Sequence, residues 1–417
     1  MDEQPTPRTD PRGGQRSLVA ARRRFSRAIL RLGASVAHRL PTGVSERLRA
    51  IAARRPYAPP PPPVDVPSSP TRLFIAPANY AGQGWAWARA AERIPGVGAR
   101  NMAPASGYGF PADCSVPRTV LASIPWQRRQ WAAIEGFTHV IVEAELPLLP
   151  GRGATAGREI RMLRERGIRV ATLCHGSDIR GPEAHAARDP WSPFRGDGYP
   201  GLATLEELVD RNQALLRALD AEGVPAFVST PDLLVDVPWA TWLPVVVDAD
   251  EWGGGEPPLE RPVPLVVHAP SNGALKGTDL IEPVLHGLAQ EGRIRYRAAA
   301  GLDRAAMRQL YRSADIVLDQ FRLGIYGVAT CEALAAGRVV ISHVSAQTRA
   351  AAETASGLEL PVIESTADTL ESALLDVLAD RDGPREVAAR GPAFVRHLHD
   401  GRASALALTR FLDRHAD

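Results

Sequence analysis

Ile316-Val317-Leu318-Asp319-Gln320-Phe321-Arg322-Leu323-Gly324-Ile325-Tyr326-Gly327-Val328-Ala329-Thr330-Cys331-Glu332-Ala333-Leu334-Ala335-Ala336-Gly337-Arg338-Val339-Val340-Ile341 is the stretch on which the fold turns. A β-branched apolar run ends at Leu318. A loop with two glycines follows, a helix begins near Gly327, and Gly337 closes it as a C-cap before the next apolar run. Two strands joined through a helix lie parallel, because a parallel pair needs such a crossover. The same unit repeats outward in both directions. Apolar runs at Leu265-Val266-Val267, Ile294–Arg297 and Val339–Ser342 alternate with helical patterns. So do earlier runs at Arg72–Pro77, Thr138–Val142, Arg169–Cys174 and Ala226–Thr230. A Gly/Pro/Glu-rich stretch (252–262) separates the two sets. The alternation predicts an α/β protein: two doubly wound Rossmann-like domains facing each other across a cleft, preceded by a basic helical extension. The expected boundaries are a tail over 1–56, a proline-rich linker over 57–70, a first domain over 71–250, a second over 251–395 and a C-terminal helix over 396–417.

In such folds ligands bind beyond the carboxyl ends of the strands. Four segments at those ends carry chemistry. The basic residues are 48 Arg and one Lys, Lys276. It falls in His268-Ala269-Pro270-Ser271-Asn272-Gly273-Ala274-Leu275-Lys276-Gly277, between an apolar run and a helix start, where backbone N–H groups and the helix dipole favour an anion. Its compact ammonium adds a point charge that a planar guanidinium does not reproduce. Gly324, Tyr326, Gly327 and Val328 form a loop and helix start of the kind that holds a diphosphate, with Asp319 and Gln320 at the strand end. Glu332, on that helix, can accept hydrogen bonds from two vicinal ribose hydroxyls; on spacing alone it also fits a surface glutamate. In the first half, Gly82-Gln83-Gly84 opens a helix, and His175-Gly176-Ser177-Asp178 ends a strand. His175 fits either a sugar contact or a packed structural histidine, and Asp178 fits a helix cap. No metal is expected. The Asp-x-Asp spacing at Asp248-Ala249-Asp250 lies in the linker.

Composition limits the function classes. Three cysteines (Cys114, Cys174, Cys331) with no paired spacing read as reduced thiols in a cytoplasmic protein. No run of 18 apolar residues and no signal-peptide core are present. Residues 1–55 hold 13 Arg against four acids, a charge of +9, which leaves −7 for the rest of a chain of net charge +2. A body so charged disfavours nucleic-acid binding. In the tail, Leu18, Phe25, Ile29, Leu32, Val36 and Leu40 share one helical face, with arginines opposite. Such a helix suits an anionic membrane surface, engaged through residues 12–55, or equally a docked or solvated arm. Pro59–Pro63 reads as a polyproline spacer between tail and body.

Taken together, Asn272…Lys276-Gly277, His175–Asp178 and Glu332…Val339-Val340-Ile341 resemble the retaining nucleotide-sugar glycosyltransferases of family 4, of the two-domain GT-B type. Ser229-Thr230-Pro231-Asp232, Trp242-Leu243-Pro244 and Phe394–His399 extend the resemblance over most of residues 71–415. It implies a hexosyltransferase that moves a sugar from a nucleotide-sugar to a glycan or lipid-linked acceptor in surface polysaccharide or glycolipid synthesis; the basic tail is what would place such a cytoplasmic enzyme on the inner membrane face. It implies Lys276, His175 and Glu332 as the catalytic set. Gly82, Gly84, Asn272, Asp319, Gln320, Gly324, Tyr326, Gly327 and Val328 then join Lys276 and Glu332 around the donor. Two departures stand out. The first Glu of the family's Glu-x7-Glu pair falls at Gly324, and the Arg that often accompanies the Lys has no counterpart, leaving Asp319, Arg322 or His268 to compensate. An inactive donor-binding or scaffold member, or an epimerase on the same fold, are the alternatives.

Overall fold

The computed structural model describes residues 59–151 and 155–413. The basic tail (1–56), with its expected membrane-surface helix, lies outside the described residues. Elements are numbered in chain order. The first sheet holds seven strands: β1 (Thr71–Ala76), β2 (Val97–Pro104), β3 (Cys114–Val116), β4 (His139–Glu143), β5 (Arg169–Cys174), β6 (Ala226–Val228) and β7 (Thr241–Trp242). They run parallel in the order β3-β2-β1-β4-β5-β6-β7. The second sheet holds β8 (Leu265–His268), β9 (Arg295–Ala298), β10 (Ile316–Leu318), β11 (Val339–Ser342) and β12 (Ile363–Glu364), in the order β12-β11-β10-β8-β9, again all parallel. Strand order reverses between β1 and β4 in one sheet and between β8 and β10 in the other. A reversal splays the loops apart and leaves a crevice at the carboxyl ends of the strands. The strand β2 and the edge strands β3 and β12 are not evident from sequence. β2 is broken by Gly98, Arg100 and Asn101, and β3 and β12 are too short to show a period.

Of the helices, those that build the site are α1 (Gln83–Ala91), α2 (Ile124–Ile134), α3 (Ala156–Arg164), α4 (Pro182–Arg188), α5 (Leu202–Ala221) and the linker turn α6 (Ala249–Trp252) in the first half. The second half has α7 (Gly273–Lys276), α8 (Thr278–Gln290), α9 (Arg304–Ser313), α10 (Val328–Ala335), α11 (Ala346–Ser356), α12 (Leu370–Ala379), α13 (Asp382–Leu398) and α14 (Arg402–Leu412). Central strands β4, β8 and β11 are buried throughout, which explains their unbroken apolar runs. No helix among the described residues is long and apolar enough to cross a membrane.

Two segments differ from the sequence reading. The described part of the proline-rich linker is docked on the first domain instead of standing clear as a spacer. Trp126 Nε1 donates to the Pro61 carbonyl at 2.8 Å, Val64 N donates to Gln130 Oε1 at 2.9 Å, and Val64 is buried. The physical reason is Trp126, whose buried indole N–H needs an acceptor that its own helix cannot supply. The chain end is also two helices. α13 belongs to the second domain, where Gly391 lies so near the Leu334 carbonyl that a Cβ would stand 2.6 Å from it. α14 crosses back to the first domain. Ser404 Oγ donates to the Pro244 carbonyl at 2.7 Å, and Phe411 packs edge-on against His139 with ring centres 5.2 Å apart. With the α6 linker this return makes a double connection between the domains.

Candidate active site

The β8/β10 crevice brings together residues far apart in sequence. β8 ends at His268, and Asn272 caps the short α7 by accepting from the N–H groups of Ala274 and Leu275. That turn sets Lys276 facing the end of β10, where its Nζ pairs with Asp319 Oδ1. Asp319 is 4 % exposed, and its other oxygen accepts from Thr330 Oγ1 at 2.5 Å. Phe321 N donates to the Lys276 carbonyl at 2.9 Å, tying the two loops together. α10 then starts at Gly327 with no side-chain cap, and space is open beside Gly327. An uncapped helix start beside an ammonium is a ready anion site.

Glu332 lies one turn into α10 at the edge of the interdomain cleft, and its carboxylate has no hydrogen bond or ion pair to any described residue. Its carboxyl is pushed up to about 8, chiefly by burial; Arg304 opposes this, and Asp319 and Glu251 reinforce it. The cleft has a volume of about 470 Å³, and its lining includes Gly82, Trp85, Arg89, Glu251, Arg304 and Glu332. Arg304 is not free. Glu251, from the α6 linker, holds both Arg304 and Arg308, at 2.6 Å in the resolved Arg304 Nη2 and Arg308 Nη1 contacts. The Arg304 guanidinium also stacks 5.7 Å from the centre of the Trp252 ring. Nothing in the sequence marked Glu251 or Arg304, because their meeting depends on how the linker turns.

Other donor-loop residues are built into the scaffold. Tyr326 is 2 % exposed, with its hydroxyl 3.3 Å from His399 Nε2. Gln320 Nε2 donates to the Ile325 carbonyl at 2.7 Å and so braces the loop from inside. His268 is fully buried between the Leu318 carbonyl (3.1 Å) and Thr278 Oγ1 (2.9 Å), and Arg322 pairs with Asp279 at 2.8 Å. Neither joins Lys276 as a second cation. Gly324 has φ 61°, and a Cβ there would stand 2.8 Å from Asp189 Oδ2 of the other domain.

The β1/β4 crevice faces this site. Asn79, Ala81, Ala144 and Glu145 all have φ between 51° and 56°, in the loops after β1 and β4. Each such non-glycine residue costs of order 1–3 kcal/mol, and strain of that kind gathers at functional sites. Glu143, fully buried, accepts from the N–H groups of Ala78 and Asn79 at 2.9–3.1 Å. His175 Nε2 stands 3.3 Å from Glu143 Oε1, with Tyr80 edge-on to the ring at 4.9 Å. Asp178 accepts from the N–H groups of His175 and Gly176 and so shapes its own loop. The Gly82–Gly84 turn divides. Gly82 lines the cleft, whereas a Cβ at Gly84 would meet Asn101 Nδ2 at 2.8 Å and the Glu143 carboxylate at 3.2 Å. Gln83 clasps Val246 of the linker through two hydrogen bonds, of 2.7 and 3.0 Å. Gly84→Ala is therefore expected to lower stability by about 1–3 kcal/mol through overpacking, read as a lower urea midpoint. Unchanged unfolding would show that the contact relaxes freely. Glu143 was findable from sequence as the acid ending an apolar strand; Tyr80 and Asn101 were not.

The comparisons with known proteins bear on the scaffold. The architecture superposes on sucrose-phosphate synthase from Thermosynechococcus elongatus with a TM-score of 0.52 at 14% identity, covering 81% of this chain and 97% of that one. The fold is that of the GT-B glycosyltransferases. The catalytic domain of starch synthase IV from Arabidopsis thaliana, bound to ADP and acarbose, gives 0.52 at 9% identity over 83% and 100% of the chains. Anabaena HepE in complex with UDP-glucose gives 0.50 at 12% identity over 81% and 98%. No protein-family model matches the chain, and no curated protein does. At these identities the GT-B likeness concerns the fold, so the chemistry rests on the residues above.

Proposed function

We propose that the protein transfers a sugar from a nucleotide-sugar, held in the cleft of its GT-B fold, to a glycan or lipid-linked acceptor. One observation carries this reading: Lys276 and the open start of α10 stand together at the β8/β10 crevice, with an unpartnered Glu332 a turn away. The first two suit a diphosphate and the third suits a ribose diol. During transfer the bond from the sugar's anomeric carbon to the diphosphate breaks, and negative charge grows on the leaving diphosphate. The Lys276 ammonium and the N–H groups of α10 are fixed where that charge develops, which is where stabilisation accelerates a reaction. The acceptor hydroxyl enters from the β1/β4 side, near His175 and Tyr80, forms the new bond on the same face of the sugar as the departing diphosphate, and passes its proton to the diphosphate oxygen that leaves. Retention of configuration, family 4 membership and a place in surface polysaccharide synthesis belong to the same proposal. UDP-glucose bound to HepE makes that donor the first to test.

Purified protein should turn over one member of a panel of nucleotide-sugars, by transfer or by slow hydrolysis. Binding without turnover would favour a second reading, a donor-binding scaffold. That reading draws on Gly324, where Asp189 fills the space that a larger side chain would need. The tail proposal is separate: residues 1–56 attach the protein reversibly to an anionic membrane surface. Each basic residue near such a surface contributes about 1 kcal/mol. The full chain should co-sediment with anionic vesicles at low salt, and a chain starting at residue 57 should not. Equal behaviour of the two would reduce the tail to a solvated arm.

A further inference from the structure

Away from Lys276 and Glu332, the donor loop is gripped by the other domain. Asp189 terminates α4 in the first domain, and its Oδ2 lies 3.2 Å from His343 Nε2, just beyond β11 in the second. His343 Nδ1 lies 2.8 Å from Glu364 Oε1 on β12. Both ring nitrogens thus face carboxylates, which only a doubly protonated imidazolium satisfies. From the same helix, His185 Nε2 lies 3.2 Å from the Leu323 carbonyl, while Ser192 Oγ sits 2.7 Å from its Nδ1. His343 N donates to the Gln320 carbonyl and Ser345 N to the Gly324 carbonyl, each at 2.8 Å. The loop from Asp319 to Gly327 is therefore fixed to His343 on one side and to α4 on the other. Gly324 lies at the meeting point, with room for Asp189 and none for a Cβ.

We infer that Asp189, His343 and Glu364 form an interdomain latch that holds the cleft closed and positions the donor loop, and that Gly324 is glycine so that Asp189 can seat against it. Asp189 and His343 are positioning residues: they act on the phosphate-facing end of the loop through Gly324 and Gln320. The charged groups facing His343 are Asp189 from α4, Glu364 from β12 and, behind Glu364, Arg349 from α11 at 3.6 Å. Burial works against the imidazolium, but the two carboxylates outweigh it and raise His343 to about 9. Asp189 is held below its ordinary value: burial works to raise it, and the bond from His343 prevails. His185 is lowered to about 4, first by burial and then by Arg180, and stays neutral. The sign follows. A raised histidine contributes below its ordinary pKa and loses that contribution as pH climbs through about 9. The Asp189 contribution disappears only in acid. The latch is shut at neutral pH and released in mild base.

The test needs no donor and no turnover, so a failed transfer assay leaves it intact. Small-angle scattering and hydrogen exchange are measured on the full chain from pH 6.5 to 10.5. The expected result is a radius of gyration that grows, and a 319–327 loop that loses protection, with a midpoint near pH 9. His343→Gln should be open and weakly protected at every pH. Glu364→Gln should stay latched at neutral pH but open at lower pH than the parent, a shift that a merely structural histidine would not show. Asp189→Asn gives an independent break should His343→Gln fail to fold. A wild type that keeps its radius and protection through pH 10.5, or Asp189→Asn and His343→Gln proteins indistinguishable from it, would overturn the latch.

Discussion

Lys276→Ala is expected to cut sugar transfer by roughly 10²-fold or more, the scale for removing a fixed partner of transition-state charge. Lys276→Arg should recover little of it, because the guanidinium fork spreads its charge over a plane where α7 presents a single point charge against Asp319. Lys276→Ala also strands Asp319, which is 4 % exposed and, among the described residues, keeps Thr330 as its side-chain donor. Breaking a buried pair costs about 3–5 kcal/mol, and the partial exposure of Lys276 lowers that figure. Lys276→Ala combined with Asp319→Asn separates the two effects. It should regain urea stability while transfer stays lost. If the double variant turns over donor at the parent rate, Lys276 serves only to neutralise Asp319, and the diphosphate site lies elsewhere.

Glu332→Gln keeps the shape of the side chain and removes the charged acceptor. A hydrogen bond to a charged group contributes about 1.5–3 kcal/mol, so the dissociation constant of the donor should rise roughly 10- to 100-fold, measured by calorimetry with UDP-glucose. The pH dependence is more specific. Burial pushes the Glu332 carboxyl up to about 8, yet a ribose diol needs the carboxylate. Donor affinity of the parent should therefore climb as pH rises toward 8, with release of a proton on binding, and the variant should show no such slope. Stability runs the other way. A carboxyl raised above its unfolded value binds its proton more tightly when folded, so its contribution falls as pH rises from about 4.5 through about 8. Glu332→Gln should flatten that decline. A slope of affinity with pH that survives in the variant would move the titration to another group.

The amino-acid order alone determined the repeating strand–helix unit and the parallel sheets, and it marked the strand ends as the candidate place for chemistry. Those features are local: an apolar run, a glycine turn and a capped helix are written in neighbouring residues, and the crossover rule turns them into a topology. Lys276, Asp319, Gly327 and Glu332 were legible as candidates for the same reason, each belonging to a strand-to-helix junction. Their relations were not. The Lys276–Asp319 pair joins loops from two strands that are adjacent only because β10 passes over to the far side of β8. Tyr326 and Gln320 look like loop residues in sequence but serve the core and the loop's own bracing, because α13 and α14 fold back to bury one and Ile325 captures the other. Gly84 reads as a phosphate turn until Asn101 and Glu143 appear on its far side. The tertiary structure alone decided that Glu251 holds Arg304 in the cleft and that Asp189 reaches His343 across it. Those contacts depend on the angle between two domains, and that angle is set by the α6 linker and the returning α14, whose packing no local pattern encodes.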